Sequence, residues 1–256
     1  MKHHIGNHHT GNHHIDLAEV ASVGGFFALR TGTPPGGAQV TPLARVYAGE
    51  SDPLAFRVAK VGARLGAPDE RVAVSVAQLG LAARLWSVAL GSAALHGEVP
   101  DLDPALLHWD ADGSSPDDLW LTDVRGRTAD AAAVRDAVQE SHLAPLADAL
   151  RDRYRISARL LWGNAGSALA GAARELHTWA RRTGRTEVGE HALDLAAELF
   201  AHPDLRGTGT LDGTAFRRRS CCLYYRCPGG GLCGDCCFER PPHRSVRDSS
   251  PPGASG

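Results

Sequence analysis

The chain has 256 residues, of which 43% are hydrophobic, and its formal net charge is −2. This length and composition suffice for a sizeable buried core, either as one domain or as one domain with a small appendage. General nucleic-acid-binding proteins are usually basic, so the nearly neutral charge excludes that class of partner.

The sequence contains neither a recognisable secretory signal nor an obvious membrane-spanning segment. Met1 and Lys2 lead into a polar stretch with no apolar h-region. The longest charge-free apolar stretches, residues 72–83 and 85–96, are each too short to span a bilayer, and Arg84 separates them. We therefore expect a soluble cytoplasmic protein with no integral membrane segment, in a compartment that keeps thiols reduced.

The two ends of the chain differ in composition from its body. Histidine pairs recur every five residues within residues 1–15, which is typical of a purification tag, a low-complexity tail or a weak metal-binding tract. Residues 241–256 have the composition of a disordered tail. The predicted organisation is therefore a mainly helical domain at residues 16–215 followed by a cysteine-rich motif at residues 216–240.

The body is rich in Ala, Leu and Arg, which favours helices. Asp52 and Pro53 provide a capping side chain and a proline in the first turn of one helix. The nearly continuous apolarity that follows Asp69 and Glu70 predicts a central, buried helix. The predicted helices cover residues 17–23, 54–65, 70–90, 157–176 and 187–200. Two further helical segments are predicted after residue 130, and Pro145 divides them.

A single β element is expected. Residues 106–109 and 119–121 flank a turn-rich loop, which predicts a hairpin. Residues 207–213 are predicted to form a loop that leads to the cysteines. The predicted fold class is mainly α, with a small β-hairpin and a C-terminal cysteine-rich loop.

A run of small residues follows Trp162 on a predicted helix and begins with Gly163 and Asn164. Small side chains permit the close approach of another helix or of the cysteine loop, and we interpret the run as core packing. The amide of Asn164 requires a hydrogen-bond partner there.

All six cysteines lie within seventeen residues near the C-terminus. A disulfide framework would spread its cysteines through the chain, so the cluster indicates a metal site on an intracellular fold. Cys233 and Cys236 form a C-x-x-C hook, and the adjacent pair Cys221 and Cys222 lies ten residues upstream.

Four thiolates on a compact loop suit either tetrahedral zinc or a [2Fe–2S] cluster. Structural zinc sites typically use two separated hooks, which an adjacent cysteine pair matches poorly. The standard ferredoxin spacings do not occur here either. The spacing alone predicts a metal–thiolate site and favours iron–sulfur over zinc.

The motif Cys221-Cys222, ten intervening residues and Cys233-x-x-Cys236 resembles the C-terminus of the FhuF-type ferric iron reductases, a family of siderophore-iron reductases. The resemblance extends over roughly residues 50–240, and the cysteine motif is its most specific part. It implies a [2Fe–2S] cluster with these four cysteines as ligands. It also implies one-electron reduction of Fe(III)-siderophores in the cytoplasm, with release of Fe(II).

The chain contains no dinucleotide fingerprint and no phosphate-binding glycine loop. Electrons are therefore expected from a separate donor protein, such as a ferredoxin, or from a reductant in solution. Two rival hypotheses remain open. One is a non-catalytic iron–sulfur sensor or scaffold, and the other is a zinc-stabilised interaction domain.

Several residues around the motif have open roles. Cys227 and Cys237 are additional to the four-cysteine pattern, and we interpret them as small, half-buried thiols, with a spare ligand or a redox-labile thiol as the alternative. A set of arginines flanks the cysteines and is expected to tune the cluster, to dock an anionic siderophore complex or an acidic donor, or to form a solvated basic face. These are Arg217, Arg218, Arg219 and Arg226.

Overall fold

The computed structural model describes residues 15–36, 40–50 and 52–242. Almost all of the predicted His-rich tract and of the predicted disordered tail lies outside the described residues.

Helices form most of the described chain, which is mainly α as predicted. They are α1 (Leu17–Ala21), α2 (Leu43–Tyr47), α3 (Pro53–Leu65), α4 (Glu70–His96), α5 (Ala131–Arg135), α6 (Ala144–Arg153), α7 (Ala158–Thr183), α8 (Thr186–Ala201) and α9 (Pro203–Arg206). A π-helical segment, Asp136–Leu143, joins α5 to α6, and short 3₁₀ turns lie at Gly25–Phe27 and Tyr224–Arg226.

Helix α4 is the central helix of the core, as predicted. The Asp69 side chain caps its start by accepting the Val72 N–H, and Gly97 ends it in the left-handed conformation. It packs against α3, α7 and α8. Among the described residues it is the one helix long and apolar enough to cross a membrane, and 78% of its most apolar window is buried inside the protein. Burial of its apolar residues inside the protein is typical of a core helix.

Arg84 lies within α4 without interrupting it. Its side chain is buried and its Nε lies 2.8 Å from Asp118 Oδ1. The guanidinium also donates to the carbonyls of Gly25 and Ala28. A buried charge is tolerated only when it is paired and hydrogen-bonded in this way. Arg84 therefore ties the N-terminal segment and the hairpin region to the core helix.

The strands in the described part of the chain are short and form three sheets. They are β1 (Arg30–Thr31), β2 (Val40–Pro42), β3 (Glu98–Pro100), β4 (Leu107–Asp110), β5 (Leu119–Leu121), β6 (Gly126–Thr128), β7 (Gly209–Asp212) and β8 (Ala215–Arg218). The predicted hairpin is confirmed as the antiparallel pair β4 and β5, with Leu107 opposite Leu121. It forms the centre of a four-stranded sheet in the order β1-β5-β4-β2, in which β1 runs parallel to β5. The pairs β3–β6 and β7–β8 are antiparallel.

The prediction of a loop at residues 207–213 is wrong. Residues Gly209–Asp212 form β7, which pairs with β8 so that Asp212 lies opposite Ala215. Between them Gly213 has φ of 56°, a conformation that glycine adopts without strain. The Asp-Gly dipeptide is a recognised hairpin-turn signal, and the strand before it was too short and too polar for its alternation to be apparent.

The predicted division at Pro145 is confirmed, since α6 begins there, but a π-helical segment keeps the backbone helical between α5 and α6. Pro145 lies in the first turn of α6, directly after the π-helical segment. Proline lacks the N–H of a regular helical turn. The backbone accommodates the missing N–H with wider π-helical turns, which are one known cause of irregularity within long helices.

Candidate metal centre

The hairpin β7–β8 fixes the start of the cysteine segment against the helical body. On β8, Phe216 and Arg218 are buried and Arg217 is exposed, as expected of a strand with one covered face. The Phe216 ring packs against Phe200 of α8, with the ring centroids 5.1 Å apart. The chain therefore enters the cysteine loop from an anchored strand.

The small residues of α7 admit this hairpin and the cysteine loop. A Cβ on Gly163 would lie 2.0 Å from Ser220 Oγ, and a Cβ on Gly166 would lie 2.5 Å from Thr208 Oγ1. Real Cβ atoms do not approach other atoms so closely, so both positions require glycine. The run is buried, as the interpretation of core packing predicted, and at Gly163 the segment packed against it is the one that leads into the cysteines.

Asn164 has the partners that its burial requires. Its Nδ2 donates to the Ser75 carbonyl and to Gln78 Oε1, each at 2.9 Å, and its Oδ1 accepts from Arg218 Nη2. Ser75 Oγ in turn donates to the Cys222 carbonyl at 2.7 Å. One buried network therefore joins α4, α7 and the cysteine loop.

Asp235 anchors the C-x-x-C hook, inside which it lies. It is 8% exposed, and its Oδ2 accepts from Ser167 Oγ of α7. Its Oδ1 accepts from Arg174 Nη1 at 3.3 Å, and its carbonyl accepts the Arg218 N–H at 3.0 Å. Sequence reasoning missed this residue, and the only signal was an acidic side chain placed between two cysteines.

The Cys222 thiol contacts the thiols of Cys221 and Cys233. The Cys221 and Cys233 thiols both donate to the Cys222 sulfur, which lowers the pKa of Cys222 far below its ordinary value and raises the pKa of each donor. Cys236 interacts electrostatically with Cys233 and with Cys237. The loop thus brings together the four cysteines of the predicted ligand set, with Cys237 beside them.

Backbone N–H groups point at three of these sulfurs. The Leu223 N–H donates to Cys221 Sγ at 3.2 Å, and the Phe238 N–H donates to Cys236 Sγ at 3.4 Å. The Tyr224 N–H contacts Cys222 and lowers the pKa of its thiol. Hydrogen bonds of this kind stabilise negative charge on thiolate and cluster sulfur.

The glycine run after Cys227 closes a turn of the cysteine loop. The Gly230 N–H donates to the Cys227 carbonyl at 2.9 Å rather than to a sulfur. A Cβ on Gly230 would lie 2.3 Å from the Tyr224 carbonyl oxygen, so this position requires glycine to close the turn. Cys227 itself is 3% exposed.

Arg218 is a buried cation beside the thiols. It is 2% exposed, its Nε donates to the Ser220 carbonyl and its Nη2 donates to Asn164. Its charge lowers the pKa of Cys222 and offsets part of the rise in the pKa of Cys233. Its third nitrogen, Nη1, is buried and has no hydrogen-bond partner among the described residues. An anionic, sulfur-rich group held by the thiols would provide the missing acceptor, so the residues present fit such a group.

The other three flanking arginines are less buried than Arg218. The Arg217 side chain is 58% exposed and lies 3.4 Å from Glu239, and Arg219 is exposed. Arg226 is half-buried, and its Nη1 lies 2.6 Å from Asp69 Oδ2 at the start of α4. Only Arg218 among the four is buried against the thiols.

Two family models match the chain. One, described as "Ferric iron reductase FhuF-like transporter", covers residues 61–211, more than half of the chain. The other, described as "FhuF 2Fe-2S C-terminal domain", covers residues 218–238. The chain belongs to the FhuF-like family. Its cofactor is a [2Fe–2S] cluster. A search of curated proteins found no match.

The arrangement of the sulfurs in this FhuF-like chain differs from that of a single zinc site. Tetrahedral zinc holds four thiolates about 3.8 Å from one another, given Zn–S bonds of about 2.3 Å. Among the described residues, no group of three or more cysteines has all its sulfurs within 4.8 Å of one another. Ligands divided between two irons need not converge in this way.

Two cavities among the described residues lie near the cysteine loop of the FhuF-like fold, although no residue of the loop lines the larger one. One, of about 560 Å³, lies between α3 and α4 and includes Asp69, the partner of Arg226. The other, of about 180 Å³, is smaller and more polar. It is lined by Arg159, Trp162, Asp204, Gly207, Thr208, Arg219 and Ser220, the last of which directly precedes Cys221.

Proposed function

We propose that this protein reduces Fe(III)-siderophores by one-electron transfer and releases Fe(II) in the cytoplasm. The observation that carries the proposal is the half-buried thiol cluster, held against α4 and α7 of a ferric-iron-reductase-like domain, with an unsatisfied Arg218 N–H beside it. Hard anionic oxygens bind Fe(III) far more tightly than Fe(II), so a single electron turns retention into release. No bond in the siderophore has to break.

The proposed ligands are Cys221, Cys222, Cys233 and Cys236. Three of them accept the backbone N–H groups described above, and the fourth, Cys233, donates to Cys222 as a thiol. Cys227 and Cys237 are proposed to be non-ligands.

A bound [2Fe–2S] cluster supplies one electron at a time. The protein's part is to stabilise the negative charge that accumulates at the thiolates. Arg218 contributes a buried positive charge, and the N–H groups of Leu223, Tyr224 and Phe238 contribute oriented dipoles. These groups raise the affinity of the site for an electron.

Docking is proposed at the exposed rim of the loop. Arg217 and Arg219 offer positive charge to an anionic ferric complex or to an acidic donor such as a ferredoxin. Arg218 and Arg226 are engaged in buried or half-buried contacts, so we assign them to electrostatics and loop anchoring. The cavity of about 560 Å³ has the size of a small-molecule site, and Asp69, which lines it, pairs with Arg226 of the loop.

The test begins with anaerobic purification and analysis of iron, zinc and acid-labile sulfide. The reduced protein, freed of excess reductant, is then mixed with a ferric trihydroxamate in the presence of a ferrous chelator. We expect one Fe(II) released per protein, well above the rate in buffer. Release no faster than in buffer would favour the sensor or scaffold, and zinc without sulfide would exclude both iron–sulfur functions.

A further inference from the structure

A second group of metal-binding side chains lies outside the cysteine loop. Glu140, His202 and Asp204 bring one ligand atom each to within 4.8 Å of one another, the only such group among the described residues. Glu140 lies in the π-helical segment, whereas His202 and Asp204 lie where α8 passes into α9. The group therefore exists only because the fold joins two distant stretches of chain.

A buried amide faces this group. Gln139 is 1% exposed, and its Nε2 lies 2.8 Å from Asp204 Oδ2 and 3.1 Å from His202 Nδ1. Its carbonyl oxygen, Oε1, is buried and has no hydrogen-bond partner among the described residues. A half-turn of the amide exchanges its two ends and directs Oε1 at His202 and Asp204. A cation held there would give this oxygen a partner and would replace the two contacts that Nε2 makes in the present orientation.

The charges of the group favour a cation. Two carboxylates and one imidazole carry a net negative charge when the imidazole is neutral. Glu140 has one described cation beside it, Arg135, whose Nε lies 3.8 Å from Glu140 Oε1, beyond hydrogen-bond distance, while its Nη2 pairs with Asp136 at 2.8 Å. Imidazole and carboxylate ligands suit divalent first-row metals, Fe(II) among them.

The group shares a cavity with the start of the cysteine loop. Asp204 and Ser220 line the same cavity of about 180 Å³, and Ser220 directly precedes Cys221. Arg159 and Arg219 also line this cavity. An ion released beside the cysteine loop would have a short path to Asp204.

We propose that Glu140, His202 and Asp204, with the Gln139 carbonyl as a fourth ligand, form a divalent transition-metal site that accepts Fe(II). The identity of the ion as the product of reduction rests on the proposed function, whereas the existence of the site does not. Three or four protein ligands leave coordination positions for water, so the site holds the ion exchangeably.

The test uses the full-length, cluster-loaded, oxidised protein and Mn(II) as the probe, followed by loss of the aqueous Mn(II) EPR signal. This measurement requires no electron transfer, so it can fail or succeed independently of the reductase assay. His202→Gln, Asp204→Asn and Glu140→Gln are compared with His191→Gln, an exposed histidine of α8 outside the group. The N-terminal histidines are common to all variants and contribute equally.

We expect the wild type and His191→Gln to bind the same number of ions, and the His202 and Asp204 variants to bind one ion fewer or to weaken at least tenfold. Glu140→Gln alters a side chain that is 54% exposed, so it tests the site with little risk to folding, and a several-fold weaker affinity is expected. Unchanged stoichiometry and affinity in all three variants would overturn the proposal. If His202→Gln or Asp204→Asn alters the circular dichroism or the visible spectrum, its binding result is set aside and the Glu140→Gln result decides the test.

Discussion

At the scale of single residues, Arg218 is the side chain through which the protein acts most directly on the electron affinity of the cysteine site. It is 2% exposed, and its Nη1 lacks a partner among the described residues. A buried cation and an N–H donor both stabilise the more negative, reduced state.

We predict that Arg218→Gln lowers the reduction potential by roughly 60 mV, which for a one-electron couple is a tenfold change in the equilibrium constant. Arg218→Lys keeps the charge but loses the fork of donors, so a smaller shift is expected. A spectroelectrochemical titration measures both. Arg217→Gln, on the exposed face of the same strand, is the matched control. Equal shifts in the Arg217 and Arg218 variants would show that only overall charge matters.

The cysteines themselves provide the second prediction at this scale. Cys222→Ser and Cys233→Ser should abolish the visible spectrum of the cluster and the bound sulfide, because each removes a proposed ligand. Cys227→Ser should retain both, although its side chain is buried and some loss of stability is expected. If Cys227→Ser instead lost the native spectrum while Cys233→Ser kept it, the proposed ligand set would be wrong.

At the scale of elements, the site depends on how closely the cysteine loop approaches α7. The backbone at Gly163 lies against Ser220, and a Cβ there would be 2.0 Å from Ser220 Oγ. Ser220 Oγ also donates to the Arg159 carbonyl at 3.1 Å, so it is not free to move away without losing that bond.

Gly163→Ala should therefore displace the loop and reduce cluster occupancy several-fold, while α7 itself remains helical. Iron and sulfide per protein, together with far-UV circular dichroism, measure the two effects. Gly171→Ala is the control on the same helix, because its nearest neighbour would be Arg174 Nη2 at 3.9 Å. That variant should gain about 0.5–1 kcal/mol of stability, since alanine favours a helix over glycine. Full occupancy in Gly163→Ala would refute the close-approach argument.

The contrast between these elements shows what the sequence can reveal. The long helices and the hairpin β4–β5 follow local apolar patterns, and the cysteine spacing lies within one short segment, so all were predictable. The partners of Arg218 and Asn164 were not. Asn164 contacts Arg218 across 54 residues and Ser75 across 89, and no local pattern encodes such contacts. The need of Asn164 for a partner was predictable, but the identity of the partner was not.

At the scale of the whole molecule, stability depends on a histidine that is buried far from the cysteines. His142 Nε2 lies 2.6 Å from the Leu102 carbonyl and its Nδ1 lies 2.8 Å from Tyr47 Oη, so the neutral ring donates to the former and accepts from the latter. Burial lowers the pKa of His142 to about 4, against the opposing effects of the Leu102 carbonyl and of Asp103.

This pKa predicts how stability depends on pH. Between pH 6.5 and 4 the unfolded chain binds a proton at His142 and the folded protein does not, so acidification favours unfolding. The stability that His142 contributes is fully present above pH 6.5 and falls by up to about 3 kcal/mol as the pH drops to 4. His142→Gln should remove this part of the slope in urea unfolding followed between pH 7.5 and 5, while the exposed His191→Gln should not. Any effect of acid on the cluster is common to the proteins compared, so an unchanged slope in His142→Gln would mean that other groups govern the acid response.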